Sequence, residues 1–116
     1  MRIASNTAIA LDGRINTREG RFVALGSERD RARMSRLRAD ADAVLVGGAT
    51  FRNWPHPSLP DVADRPRRAV RPWNVVVSRS LDVPLTPAFL AETGIRPLFL
   101  TRSGAAPPGF EAEVEA

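Results

Sequence analysis

Cysteine is absent from these 116 residues. Without it there is no disulfide framework and no thiolate metal site. Lysine is absent too, since all 17 basic residues are arginine. That excludes a Schiff-base lysine and a phosphate-binding lysine. A bias this complete points to GC-rich coding, so arginine number alone says little about partners. The single histidine, His56, lies between Pro55 and Pro57. It reads as an exposed loop residue rather than a catalytic one. No apolar run approaches the roughly 20 residues of a membrane span. The start, Met1-Arg2-Ile3-Ala4-Ser5-Asn6, lacks the apolar stretch of a signal peptide. The expectation is a cytoplasmic protein with no membrane partner. Two nucleotide fingerprints are also missing: no Gly-Lys-Ser/Thr follows a glycine loop, and there is no G-x-G-x-x-G. Aromatic residues are only 6% of the chain. The arginines are interleaved with Glu28, Asp30, Asp40 and Asp42, and no nucleic-acid reader motif is visible. A basic nucleic-acid-binding protein therefore ranks last among the readings.

What is present suffices for one domain over residues 1–116. An apolar fraction of 43% supplies a core, and the formal charge is +4. The chain is organised around Asp42-Ala43-Val44-Leu45-Val46-Gly47-Gly48-Ala49-Thr50. Ala43 to Gly47 carry no polar side chain, the pattern of a strand covered on both faces of a parallel sheet. Glycine lets the chain turn sharply and lets a ligand approach the main-chain amides. A helix beginning near Thr50 would add free N–H groups that favour an anion. Gly47, Gly48 and Thr50 are thus candidates to hold a dinucleotide phosphate; a plain strand-to-helix turn is the competing reading.

Taken in order, Arg2 to Leu11 reads as a first strand, with Ile3, Ala8, Ile9 and Leu11 as its apolar positions. Asp12-Gly13 makes a turn, and residues 16–26 form a loop. Ser27 caps a helix, with Asp30 in the capping-box position. That helix is expected to run to about Ala39 and to bury Met34, Leu37 and Ala41. Glu28–Arg31 and Asp30–Arg33 are candidate ion pairs. Arg29, Arg31, Arg33 and Arg36 read as a solvated face, whereas Arg38 stands just before the central strand. Trp54 to Pro72 holds Pro55, Pro57, Pro60, Pro66 and Pro72, so neither a helix nor a central strand is expected there. Long loops of this kind are often functional. Asn74 to Ser78 and Pro97 to Leu100 read as further strands. A short helix over Pro87 to Thr93 lies between them and stops at Gly94. Ala105 to Gly109 reads as loop, and Phe110 to Val114 begins another strand.

Three expected strands end in similar chemistry: Gly47-Gly48-Ala49-Thr50, Ser78-Arg79-Ser80 and Thr101-Arg102-Ser103. In an open parallel sheet such ends share one edge, where ligands bind. Hydroxyls and arginines there suit phosphate.

Three segments carry a family resemblance. They are Asn6-Thr7-Ala8-Ile9-Ala10-Leu11-Asp12-Gly13-Arg14-Ile15, then Gly26-Ser27 with Asp30, then the continuous string from Leu37 to Thr50. In these the sequence resembles the reductase domain of riboflavin biosynthesis, the C-terminal domain of the bacterial bifunctional deaminase-reductase. That family has the dihydrofolate-reductase-like α/β fold, a mostly parallel sheet flanked by helices. The resemblance runs from Met1 to about Arg102 and covers about the first half of the family's domain. It implies NADPH as cofactor and hydride transfer to a phosphoribosylamino-pyrimidine or a similar heterocycle. By resemblance Gly47 and Thr50 touch the cofactor phosphates, and Ser78 and Arg79 hold the adenosine 2′-phosphate. Ala8 offers backbone to the nicotinamide, while Asp12 and Arg38 lie toward the substrate. No proton donor is implied. The departures fall on the substrate side: Ala10 and Phe22 stand where the family has serine, and Trp54 where it has an acidic residue. The family's later Glu-Gly-Gly turn and last strands have no counterpart in these 116 residues. An open sheet edge is therefore expected, through truncation or because a second chain completes the sheet. The expected partner is a second copy or a complementing chain. The competing function is a catalytically inactive or partial nucleotide-binding module.

Overall fold

Ser27 starts the first helix as its sequence implies. In the computed structural model, which describes residues 1–21, 23, 25–64, 71–102, 104, 106, 108 and 110, helix α1 spans Glu28–Asp40. The Ser27 hydroxyl accepts the Asp30 N–H at 3.2 Å. Glu28 and Asp30 in the first turn and Arg38 in the last suit the helix dipole. The expected apolar stripe is not what α1 buries. Met34, Leu37 and Ala41 are only half-buried, and the fully buried residue is Ser35. The reason is its neighbour: α1 packs on the irregular segment near residues 59–64. The Ser35 hydroxyl donates to the Asp64 carboxylate and accepts the Asp61 N–H at 2.8 Å. The two expected ion pairs are also missing. Asp30 instead accepts from Asn6 Nδ2 at 3.0 Å. Exposed pairs of long side chains gain too little to be held.

Three parallel strands follow: β1 (Ala43–Gly47), β2 (Trp73–Val77) and β3 (Arg96–Leu100), in the spatial order β1-β2-β3. Helix α2 (Gly48–Asn53) leaves β1 directly, two residues earlier than expected. Helix α3 (Pro87–Leu90) begins on its proline. The described chain is thus an α/β protein with a parallel sheet flanked by helices, consistent with a dihydrofolate-reductase-like fold. Val46, Val76 and Phe99 form one row across the sheet. Phe51, Phe89, Ile95, Leu59, Val83 and Leu90 pack with them to make the core. The Phe51 and Phe89 rings meet edge-on at 4.7 Å.

The other face of the sheet departs from the expectation that β1 is covered on both sides. Leu45 is 64% exposed, and Val77 and Leu100 are exposed as well. Core residues of both α2 and α3 pack with the row on the opposite face, and among the described strands β1 has a neighbour on one side only.

The N-terminal strand does not form. Residues 1–10 are irregular, and Ile3, Ile9 and Leu11 are exposed. Ala8 and Ile9 are adjacent, which breaks the two-residue period, so no single register buries all the apolar positions. The turn after them does form. The Ala10 N–H reaches the Arg14 carbonyl at 2.8 Å, and Gly13 takes φ +79°, a conformation that favours glycine.

Between Trp54 and Pro72 the described residues form only a 3-10 turn, Val62–Asp64. Side chains from around the fold pin this segment. Thr86 Oγ1 donates to the Pro55 carbonyl at 2.9 Å, Asn74 Oδ1 accepts the Ser58 N–H at 2.6 Å, and Arg38 Nη1 donates to the Leu59 carbonyl at 3.3 Å. The expectations at Phe22, Pro66, Ser103, Ala105, Pro107, Gly109 and residues 111–114 lie outside the described residues. No helix among the described residues is long and apolar enough to cross a membrane.

Candidate functional site

Parallel pairing brings the carboxyl ends of all three strands to one edge, since Gly47, Val77 and Leu100 share a register row. The residues just beyond them are Gly48, Ser78 and Thr101, so the grouping expected from sequence is present in space. Gly48 is buried, and a Cβ built on it would lie 2.9 Å from both Cβ and Oγ of Ser78. The strand ends can approach this closely only because residue 48 has no side chain. Ser78 is itself buried, and its N–H donates to the Leu100 carbonyl at 3.0 Å. The Thr101 hydroxyl donates to the Arg79 carbonyl at 3.0 Å. These bonds tie the ends of β2 and β3 together, and the Gly48–Ser78 contact sets the end of β1 against them.

At this edge the groups divide into two sets. Gly47, Thr50, Arg79, Thr101 and Arg102 are exposed. Nothing lies within 4 Å of a Cβ built on Gly47, so the turn is open to a ligand. No side chain caps the start of α2. Gly48 and Ser78 form the packed base. Ser78 therefore contributes to the shape of this edge, and Arg79 is the charged group presented beside it.

Leu81 is a feature that sequence reading missed. It is a buried non-glycine residue at φ +51°. Such a conformation costs on the order of 1–3 kcal/mol and persists where the surroundings impose it. Here the buried side chain and the bond from Arg52 Nη1 to the Asp82 carbonyl at 2.9 Å fix the path of the chain after Ser78. A leucine between Ser80 and Asp82 gives no signal of this in sequence.

No hydrogen bond among the described residues joins the remaining predicted residues to the edge. Ala8 is half-buried in the irregular N-terminal segment. Asp12 is exposed in its turn, where it accepts the Arg14 N–H at 3.2 Å and pairs with Arg14 Nε at 3.5 Å. Arg38 lies before β1, at the amino side of the sheet, bonded to Leu59. Burial lowers its pKa below the ordinary arginine value, and the nearby charge of Asp61 opposes that shift. Its Nε and the Asn74 Nδ2 are buried without a hydrogen-bond partner among the described residues. No bond among the described residues joins Asp12 to Arg38. No group of His, Asp and Glu among the described residues could hold a metal ion.

Comparison with known proteins agrees with the resemblance read from the motifs. The family model of the RibD C-terminal domain matches residues 2–111. The chain is also similar to the riboflavin biosynthesis protein PYRR, chloroplastic, of Arabidopsis thaliana. The two are 31% identical over 98 residues, which cover 84% of this chain and 16% of that protein.

Proposed function

The chain belongs to the RibD C-terminal domain family, and from that premise we propose that it is an NADPH-dependent reductase of the riboflavin-biosynthesis type. Its substrate in this reading is a phosphoribosylamino-pyrimidine or a similar heterocycle. The observation that carries the reading is the edge where Gly48 packs on Ser78. Gly47, Thr50 and Arg79 are exposed at this edge. Open backbone, a hydroxyl and a guanidinium fit the phosphates of a dinucleotide. Gly47, Gly48 and Thr50 would hold the diphosphate. Arg79, beside Ser78, would select the 2′-phosphate, and Ala8 would serve the nicotinamide end. NADPH when bound supplies the hydride. The task of this chain is to fix the cofactor along the sheet edge and to present the acceptor ring to it, with Asp12 and Arg38 assigned to the substrate.

The reading includes a second copy or a complementing chain. Parallel sheets are ordinarily buried on both faces, and here Leu45, Val77 and Leu100 leave the margins of one face exposed, while Val75 at its centre is buried. The same face supports the second reading, a nucleotide-binding or assembly module without turnover. Calorimetric titration with NADPH and, separately, NADH tests the first reading. Micromolar binding that favours NADPH supports the assigned phosphate site, and no binding of either removes it. Binding without oxidation of NADPH by any pyrimidine substrate favours the second.

A further inference from the structure

Strand β1 is an edge strand that carries none of the devices that ordinarily protect one. Ala43–Gly47 holds no charge and no proline, and its register with β2 runs without a bulge. The other edge strand differs. β3 opens on Arg96 and Pro97, a charge and a residue that cannot donate a ladder bond. One sheet thus guards one edge and leaves the other bare. Ala43, Leu45 and Gly47 are exposed, and nothing lies within 4 Å of a Cβ built on Gly47. Among the described strands only β2 pairs with β1.

The direction of the free backbone groups follows from one bond. The Trp73 N–H donates to the Asp42 carbonyl at 2.9 Å, so residue 42 turns that carbonyl toward β2. In a strand the N–H and C=O of one residue point to the same side, and successive residues alternate. Val44 and Val46 therefore serve the β2 ladder, while Ala43, Leu45 and Gly47 aim their backbone groups at the open side. The strand reads nearly the same in both directions, Ala-Val-Leu-Val-Gly. Laid antiparallel on a copy of itself about Leu45, it sets Leu45 against Leu45, Val44 against Val46 and Ala43 against Gly47. Small residues meet at the ends and β-branched ones between them. The outward backbone groups then face each other as the hydrogen-bonded pairs of an antiparallel ladder.

We propose that the open edge of β1 is the interaction surface for a second copy of this chain, joined through antiparallel pairing of β1 with the same strand of the partner. A two-fold axis at Leu45 makes the contact isologous, so it closes at a dimer. Three strands from each copy make a six-stranded sheet, a usual size. The pairing also brings the partner's Ala43 beside Gly47, at the head of the candidate phosphate turn. It rests on the second copy of the reading above and not on the cofactor. Cover of the face that bears Val77 and Leu100 is a different contact, which leaves the β1 edge unpaired.

Amide exchange followed by NMR at rising protein concentration tests the edge on the unaltered chain. Exchange of the Leu45 N–H is expected to slow about tenfold or more as the dimer forms. The N–H groups of Val44 and Val46, already bonded to β2, should change less. A Leu45 rate that ignores concentration would overturn the pairing. The chain has no cysteine, so single introduced thiols report the geometry. With dibromobimane, which bridges two close thiols, Leu45→Cys is expected to give a fluorescent cross-linked dimer. Leu100→Cys should give none, because across the joined sheet those positions lie at least ~24 Å apart, five strand spacings. Cross-linking at position 100 instead of 45 points to cover of the face and overturns the edge. Ala43→Pro removes one outward donor and leaves the β2 ladder and the face residues in place. Sedimentation is expected to show its dimer weakened about tenfold or more, roughly 1.4 kcal/mol, and unchanged association would sink the pairing. A dimer whose Leu45 amide stays fast sinks the pairing alone, and a monomer sinks it together with the second copy. A cross-linked Leu45→Cys dimer that binds no NADPH upholds the pairing and removes the cofactor reading.

Discussion

Gly48 lies directly on Ser78, so close that a Cβ on residue 48 would sit 2.9 Å from both the Cβ and the Oγ of Ser78. Gly48→Ala therefore forces the ends of β1 and β2 apart. The expected loss of stability is about 1–3 kcal/mol, as for overpacking in a core. Adding Ser78→Gly to that variant removes the opposing atoms and is expected to return part of the loss. Urea denaturation of the two single variants and the double variant measures the coupling. Additive losses would show that the two residues do not press on each other.

Arg79 is exposed, so removing its side chain is expected to leave stability within about 0.5 kcal/mol of wild type. Its proposed role is at the 2′-phosphate. Arg79→Ala should lower NADPH affinity about tenfold or more, roughly 1.4 kcal/mol, and leave NADH affinity unchanged. Parallel titrations with the two cofactors check this. A preference that survives in the variant would remove the assignment.

Ser35 carries two bonds at the seam between α1 and the 59–64 segment. Ser35→Ala leaves the Asp61 N–H and the Asp64 carboxylate without that partner, at a cost of about 1–3 kcal/mol. Hydrogen exchange is expected to rise in α1 and around Asp61 before it rises in β2. Uniform protection loss across the sheet would argue against a local seam.

Arg38 tests clamp against substrate contact. Arg38→Met keeps the aliphatic stem and leaves the Leu59 carbonyl unpaired, for an expected loss of roughly 1–2 kcal/mol. Burial lowers the pKa of this arginine. For a base, a lowered folded pKa means that stability rises only as pH climbs through that value, which for arginine is strongly alkaline. The difference between variant and wild type should therefore be flat from about pH 5 to pH 9. A slope in that range would show that Arg38 is coupled to another titrating group.

Leu45, Val77 and Leu100 are the exposed residues of the face proposed for a second copy. The wild-type chain is expected to sediment as a dimer and Leu45→Glu as a monomer. A wild-type monomer at micromolar concentration would remove that part of the proposal.

The regular elements were legible in sequence wherever a local signal agreed with its surroundings. Ser27 and Asp30 placed the start of α1. The runs Ala43–Gly47 and Val75–Val77 placed two strands, and Arg79 and Arg102 marked the edge that parallel pairing creates. The errors have a common cause. Periodicity says which residues are apolar and says nothing of what lies opposite them. The continuous run implies a buried Leu45, but that side chain is 64% exposed. The apolar pattern implies strand positions at Ile3 and Ile9, but no strand among the described residues pairs with them. Ser35 has no burial signal in sequence, because it is a serine within a helix and its partners, Asp61 and Asp64, are far along the chain. The bracing of Pro55, Ser58 and Leu59 is likewise set by distant side chains.

The parallel register also has a kinetic consequence. Ala43 pairs with Trp73, and Trp73 with Arg96, so no strand meets its neighbour through a tight turn. Each ladder must wait for a long intervening segment to close, and the entropy of that closure is lost before any pairing offsets it. Folding should be correspondingly slow, on the order of milliseconds to seconds for chains dominated by such pairings. During that interval the apolar strands stand unpaired, and the nascent chain is most prone to aggregate.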